Sequence, residues 1–164
     1  MYKFIFDSDA LIKSAKSDIL EKFCQHYNCF ISTEVKNECV DEGKRRLYKD
    51  ALAIEEFINQ GLITVKEVKK ARKIREDLGK GEVSAVNLYF QEKNTIIVTD
   101  DSAFTKYIEE NKIKFCVPAD LILLMRISNK IDGIAALRYL EKIKEFIKEE
   151  VYFGIKKDIM ETKK

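Results

Sequence analysis

At 164 residues the chain has room for one domain with a single substantial core, and a net charge of +2 rules out a polycation as a whole. Apolar residues at 46% and charged residues at 35% match a folded soluble protein at the charged end of the range. No apolar run approaches bilayer length, and the N-terminus runs straight into a strand with an acidic end rather than a secretory signal, so the expected location is the cytoplasm.

Strands and helices alternate along the chain. Residues 2–7 read as a strand in which Phe4, Ile5 and Phe6 run into Asp7, Ser8 and Asp9. A helical pattern follows over 9–27, with Asp9 as its expected N-cap and a break at Ser17 and Asp18, either of which can cap a second segment. Residues 29–32 form a short second strand. Ser32 or Thr33 caps the next helix, which carries Val35, Cys39 and Val40 inward. Tyr48, Leu52, Ile54, Phe57 and Ile58 then recur at helical spacing up to Gly61.

Residues 62–65 are the third strand, and a basic helix is expected from there to Leu78. After the turn Gly79-Lys80-Gly81, a helix over 82–91 buries Val83, Val86, Leu88 and Phe90. The fourth strand (95–99), a helix (102–110) and the fifth strand (114–117) follow, and Pro118 opens the next helix. The remainder is helical, over 121–127, 134–146 and the tail. Such alternation predicts an α/β fold with a parallel sheet, helices on both faces and right-handed crossovers.

The acids fall at chosen places on this scheme. In open parallel sheets ligands bind beyond the carboxyl ends of the strands. Two strand ends carrying Asp would crowd negative charge into one crevice, which is costly unless a proton or cation is shared. Asp7 lies at the first rim. Glu34 and Glu38 are one helical turn apart. Glu38 flanks the buried stripe of Val35 and Cys39 and is the better candidate, whereas Glu34 sits in a first turn, where the helix dipole alone favours a carboxylate. Glu82 opens a helix behind two glycines. Asp100 and Asp101 follow a strand apolar enough to be central; one can cap the next helix while the other faces the crevice, and the pattern does not decide which.

An all-carboxylate set suits Mg²⁺ or Mn²⁺, which can generate a hydroxide nucleophile and stabilise an in-line phosphodiester displacement. The four cysteines (Cys24, Cys29, Cys39, Cys116) include no Cys-x-x-Cys pair and His26 is the single histidine, so zinc is not expected. Buried free thiols are the favoured reading, with a Cys24–Cys29 disulfide as the alternative. There is no phosphate-binding glycine loop or serine nucleophile elbow.

Basic residues are clumped. Lys44, Arg45, Arg46 and Lys49 form one group; Lys66, Lys69, Lys70, Arg72, Lys73 and Arg75 form another. Such runs are commonly solvated faces, but beside a carboxylate crevice they can grip a phosphate backbone. Lys44, Arg45, Arg46, Lys70, Arg72 and Lys73, together with Ser8 and Asp9 at the first rim, are the candidate substrate contacts.

Four stretches carry a family resemblance: Phe6-Asp7-Ser8-Asp9-Ala10-Leu11-Ile12, Thr33-Glu34-Val35-Lys36-Asn37-Glu38-Cys39-Val40, Gly79-Lys80-Gly81-Glu82-Val83-Ser84-Ala85 and Val98-Thr99-Asp100-Asp101-Ser102-Ala103-Phe104. In this order they resemble the PIN domain, a metal-dependent ribonuclease fold. The resemblance implies a three-layer α/β/α domain over residues 1–125 with a five-stranded parallel sheet ordered 3-2-1-4-5. Residues 126–164 are then a helical extension packed on the same domain. It further implies Asp7, Glu38, Glu82 and Asp101 as catalytic metal ligands, Asp100 as a further candidate ligand, and a supporting role for Asp9. The substrate would be single-stranded RNA, in the manner of a toxin with an antitoxin partner or of an RNA-processing enzyme. Apolar stripes on the C-terminal helices (Leu121, Leu124, Leu137, Leu140, Ile143, Ile147) offer a homodimer surface.

Two other readings compete. Hydrophobic-Asp-x-Asp is also the nucleophile motif of haloacid-dehalogenase-type phosphatases, with Asp7 as nucleophile; that leaves Glu38 and Glu82 idle. A PIN-like module that binds RNA or protein without cleaving would keep the acids but not the chemistry.

Overall fold

The computed structural model describes residues 2–72, 74, 75 and 77–162. Five short runs form one sheet: β1 (Lys3–Phe6), β2 (Asn28–Ser32), β3 (Ile63–Lys66), β4 (Thr95–Val98) and β5 (Phe115–Cys116). All neighbours are parallel and the order is β3-β2-β1-β4-β5. Buried on both faces from Phe4 to Phe6, β1 needs apolar side chains at those three positions. Alternation sends Phe4 and Phe6 into one core cluster and Ile5 into the other.

One face is covered by α1 (Ser8–Lys16), α2 (Ile19–Cys24), α5 (Lys49–Asn59), α8 (Pro118–Ile127), α9 (Gly133–Ile143) and α10 (Glu149–Glu161). The other carries α6 (Lys80–Gln91) and α7 (Ser102–Glu110). At the centre of the larger cluster the Phe23 ring stacks on Tyr27 at 4.5 Å and meets Phe4 edge-on at 4.8 Å. The predicted break falls between α1 and α2, where Asp18 takes a left-handed φ of 59°. All four cysteines are free thiols, and Cys24, Cys29 and Cys39 are buried.

Several expectations are corrected. Asp9 does not cap α1. Asp7 keeps an extended backbone at the end of β1 and accepts the Ala10 N–H at 2.8 Å, so the helix starts earlier than the apolar period suggests. Asp9 lies in the first turn, 2.6 Å from Lys13 one turn on. Tyr48 and Leu52 are exposed at 50% and 59%; α5 turns Ala51 and Ile54 inward instead. Phe90 is likewise 43% exposed, with the Arg72 guanidinium 4.3 Å from its ring centre.

The basic helix expected after β3 does not form among the described residues of 67–79. That stretch runs as a strap along α6, and its backbone is satisfied by side chains one turn apart on that helix. Asn87 Oδ1 accepts the Arg72 N–H at 2.7 Å, and Gln91 Oε1 accepts the Lys69 N–H at 2.9 Å. A lysine-rich run with little apolar surface gains little from coiling, so external partners win.

The helix after β2 also departs from regularity. Ser32 caps α3 (Thr33–Lys36) by accepting the Val35 N–H, but Asn37–Glu42 continues as a π-helical turn before α4 (Gly43–Arg45). π turns are rare and concentrate at functional sites. This one buries the adjacent Cys39 and Val40 together. It ends at Gly43, where an added Cβ would sit 2.8 Å from Ala51 Cβ. Gly43→Val is therefore expected to destabilise the fold by about 1–3 kcal/mol through overpacking, read as a lower urea midpoint. An unchanged midpoint would mean that α4 and α5 can separate freely.

The C-terminal stripe is consumed within the molecule: Leu121, Leu140 and Ile143 are buried, and Leu124, Leu137 and Ile147 pack against the same cluster. The large apolar side chains left exposed on these helices are Ile127, Ile134, Phe153 and Met160. Among the described residues, no helix is long and apolar enough to cross a membrane.

Candidate metal centre at the carboxyl ends of the strands

Phe6 is in register with Val98, so Asp7 and the Thr99–Asp101 segment leave the sheet side by side. The parallel order brings the start of α6 and the π turn to the same edge. The result is a cavity of about 210 Å³ lined by Asp7, Glu38, Glu82 and Asp101 together with Ser8, Asp9, Gly79 and Gly81. Four carboxylates from four separate segments thus share one opening.

Each of the four has one oxygen locked. Asp7 Oδ1 accepts from Ala10 N and Asp101 Oδ1 from Phe104 N, both at 2.8 Å, as the N-caps of α1 and α7. Glu82 Oε2 reaches back to Gly79 N at 2.8 Å across the first turn of α6. Glu38 Oε2 takes the Ser8 hydroxyl. A hydrogen bond to one oxygen fixes the rotamer and leaves the second oxygen of the carboxylate. Capping and facing the cavity, offered as alternatives by the sequence, are the same act.

Gly81 belongs to this arrangement. A Cβ there would lie 2.8 Å from Glu38 Oε2 and 3.0 Å from Ser8 Oγ, so only glycine lets α6 approach the Ser8–Glu38 pair.

Asp100 stands apart from the four. Both its carboxylate oxygens are 2.9 Å from Lys13 Nζ, and Lys13 also pairs with Asp9. Burial raises Asp100 above the usual carboxylate range, with Lys13 opposing. For Lys13, burial pulls the pKa down but Asp9 and Asp100 more than offset it, leaving it raised. Lys13 is a site residue that sequence reasoning missed; its spacing of four from Asp9 was the available signal.

Among the described residues, none of Asp7, Glu38, Glu82 and Asp101 has an ion-pair partner. The electrostatics register this. Asp7 is 3% exposed, and burial pushes it up to about 7, against the pull of the Thr99 hydroxyl and the Ala10 N–H. Burial also raises Glu82, helped by the charges of Asp101 and Glu38 and opposed by the Gly79 N–H. Asp7 and Glu82, raised by burial with no cation of the chain beside them among the described residues, make a place for a cation.

Among the described residues, no three carboxylate, imidazole or thiolate groups converge as a ready-made metal cage. The helix caps hold the acids around the opening rather than at one point. Mg²⁺ needs no such cage, because it keeps several waters and binds through one or two carboxylates. The all-oxygen donor set therefore fits a hard divalent ion.

The basic candidates lie outside the cavity wall. Lys44 and Arg45 sit on α4 directly after the π turn and Arg46 caps its C-terminus, with Lys44 2.8 Å from Glu55. Lys70 and Arg72 are exposed on the strap leading to Gly79, and Lys73 lies outside the described residues.

A family model described as a PIN domain matches residues 3–161, from β1 through the last turn of α10. No curated protein matches the chain.

Proposed function

The chain belongs to the PIN domain family, a nuclease-like fold, and on that premise we propose that it is a divalent-metal-dependent ribonuclease acting on single-stranded RNA. The observation that carries this reading is the set of four carboxylates on one cavity, each fixed by a hydrogen bond and none offset by a cation of the chain among the described residues. Asp7, Glu38, Glu82 and Asp101 would hold Mg²⁺ or Mn²⁺. When bound, the ion supplies Lewis acidity toward the phosphodiester and lowers the pKa of water.

The chain's own residues do the rest. The caps of α1, α6 and α7 keep the carboxylates from turning away, so little reorganisation is needed as charge develops. Ser8 holds Glu38 in place from across the opening. Lys13 offsets part of the charge of Asp9 and Asp100, lowering the repulsion that an incoming phosphate would meet. The phosphatase reading gives way to the family assignment and to the place of Glu38 and Glu82 on the cavity.

The test is cleavage of unstructured RNA by purified protein with Mg²⁺ or Mn²⁺, without metal, and with chelator followed by added metal. Cleavage that is lost and restored with the ion supports the proposal. Tight metal binding in calorimetry with no hydrolysis would instead identify a binding module.

The basic segments are assigned to backbone grip. Replacing Arg45, Arg46 and Lys70 together with Ala is expected to raise KM several-fold and leave kcat nearly unchanged. The slope of log affinity against log salt should shrink by about 0.7 for each phosphate of a single strand that the variant no longer neutralises. A fall in kcat with an unchanged slope would place these residues in the chemistry rather than in RNA binding.

A further inference from the structure

The turn whose Gly79 and Gly81 line the carboxylate cavity also borders a second cavity, of about 290 Å³. Leu78, Lys80 and Val83 line it, while Gly79, Gly81 and Glu82 line the first, so one turn separates the two. Val68 and Ala71 of the strap and Glu34 of α3 line the second as well, and it is broadly open to solvent. Its volume is at the small end for ligand sites and suits one planar group rather than a length of chain.

Most polar groups there are already engaged. Asn87 Oδ1 accepts from Arg72 N at 2.7 Å, and its Nδ2 donates to Val83 O at 2.9 Å. The Ser84 hydroxyl pairs with Ser32 and donates to Gly81 O at 2.7 Å. Glu34 is the exception: its Oε2 is buried and has no hydrogen-bond partner among the described residues. Buried polar atoms are nearly always paired, so the unpaired Oε2 leaves Glu34, which lines the cavity, short of a donor. Lys80 is exposed and has no ion-pair partner among the described residues.

We propose that this second cavity takes a guanine base of the RNA held at the metal centre, with Glu34 reading its Watson–Crick edge; the assignment rests on the ribonuclease reading above. A carboxylate only accepts, and can take two donors at once. Guanine is the one base that offers two adjacent donors, N1–H and the N2 amino group, and beside them the O6 acceptor suits the Lys80 ammonium. Adenine and cytosine place an acceptor next to their single amino group, and uracil flanks its one N–H with two acceptors. Apolar walls from Val68, Ala71, Leu78 and Val83 suit the ring faces of an unstacked base, the usual way in which single-stranded RNA is read.

The experiment measures binding rather than turnover. The cleavage-silent Asp7→Asn protein is titrated with short uridine oligonucleotides carrying one guanosine, inosine or adenosine. Guanosine is expected to bind roughly five- to hundredfold tighter than adenosine. Inosine, which lacks only the N2 amino group, should fall between. Adding Glu34→Gln should level the three, because its amide presents a donor where the carboxylate presents an acceptor. Equal affinities in the Asp7→Asn protein, or a guanosine preference that survives Glu34→Gln, would overturn the assignment. The two readings fail separately: RNA cleavage without guanosine preference removes only the pocket, whereas preference without cleavage of any RNA removes the nuclease.

Discussion

Asp7→Asn is expected to reduce metal-dependent RNA cleavage by on the order of a thousandfold, equivalent to about 4 kcal/mol of transition-state stabilisation, and at the same time to stabilise the metal-free protein above neutral pH. The two effects share one cause. Asp7 is almost fully buried at the cavity, and burial lifts its pKa from 3.8 to about 7. Between those values the folded protein holds a proton that the unfolded chain has released. Stability from this group is therefore fullest below pH 3.8 and is lost as pH rises through about 7. At 1.36 kcal/mol per pH unit the full penalty is roughly 4 kcal/mol, as an upper bound.

Asparagine caps a helix about as well as aspartate and is neutral at every pH. The Tm values of the two proteins in chelator should accordingly converge near pH 4, draw apart as pH rises towards 7 and stay apart above it, with the variant higher. Added Mg²⁺ or Mn²⁺ should raise the wild-type Tm much more than that of the variant, since a ligand stabilises only the state that binds it. Parallel melting curves at all pH values would show that Asp7 is not desolvated as described. Full cleavage by the variant would remove Asp7 from the mechanism.

Gly81→Ala should lower kcat ten- to a hundredfold while leaving global stability close to wild type. The added methyl would stand 2.8 Å from Glu38 Oε2, 3.0 Å from Ser8 Oγ and 3.5 Å from Val35 Cγ2. Of these, the Glu38 carboxylate is the far end of a flexible side chain, so it yields before the helix does. Displacing a positioned group by about 1 Å can cost about a hundredfold in rate. Stability falls by no more than about 1 kcal/mol, the net worth of the broken hydrogen bond. Ala in the first turn of α6 recovers part of the roughly 1 kcal/mol by which it exceeds Gly in a helix interior. Combining Gly81→Ala with Glu38→Gln should then cost far less than the product of the single effects, since both act through one carboxylate. Independent effects in that double-mutant cycle would mean that the glycine serves helix packing rather than Glu38.

How far the sequence is legible can be followed residue by residue. The alternation of apolar runs and helical periods gave the three-layer fold, because strands buried on both faces must read as unbroken apolar stretches. Phe4-Ile5-Phe6 and Ile96-Ile97-Val98 do so, and they are neighbours in the sheet. Where local pattern competed with a distant partner, it misled. Lys66 to Arg75 looks helical as a charged run, yet Asn87 and Gln91 hold its backbone out along α6. Leu52 and Phe90 fit a helical period but lie where no layer covers them. The π turn has no mark in composition at all.

Local chemistry by itself determined the strand ends and the types of acid that could meet, because hydrophobic periods depend on neighbours within a few residues; it pointed to Asp9 where Asp7 caps, and left Ser32 or Thr33 and Asp100 or Asp101 open. Only the tertiary structure decided which acids face one another. Lys13 withdraws Asp100, Ser8 fixes Glu38, the absent side chain of Gly81 admits both, and Glu34 is turned to a separate cavity. Those outcomes hang on contacts between segments tens of residues apart, and the free energy of a carboxylate is set by what surrounds it in space rather than by what precedes it in the chain.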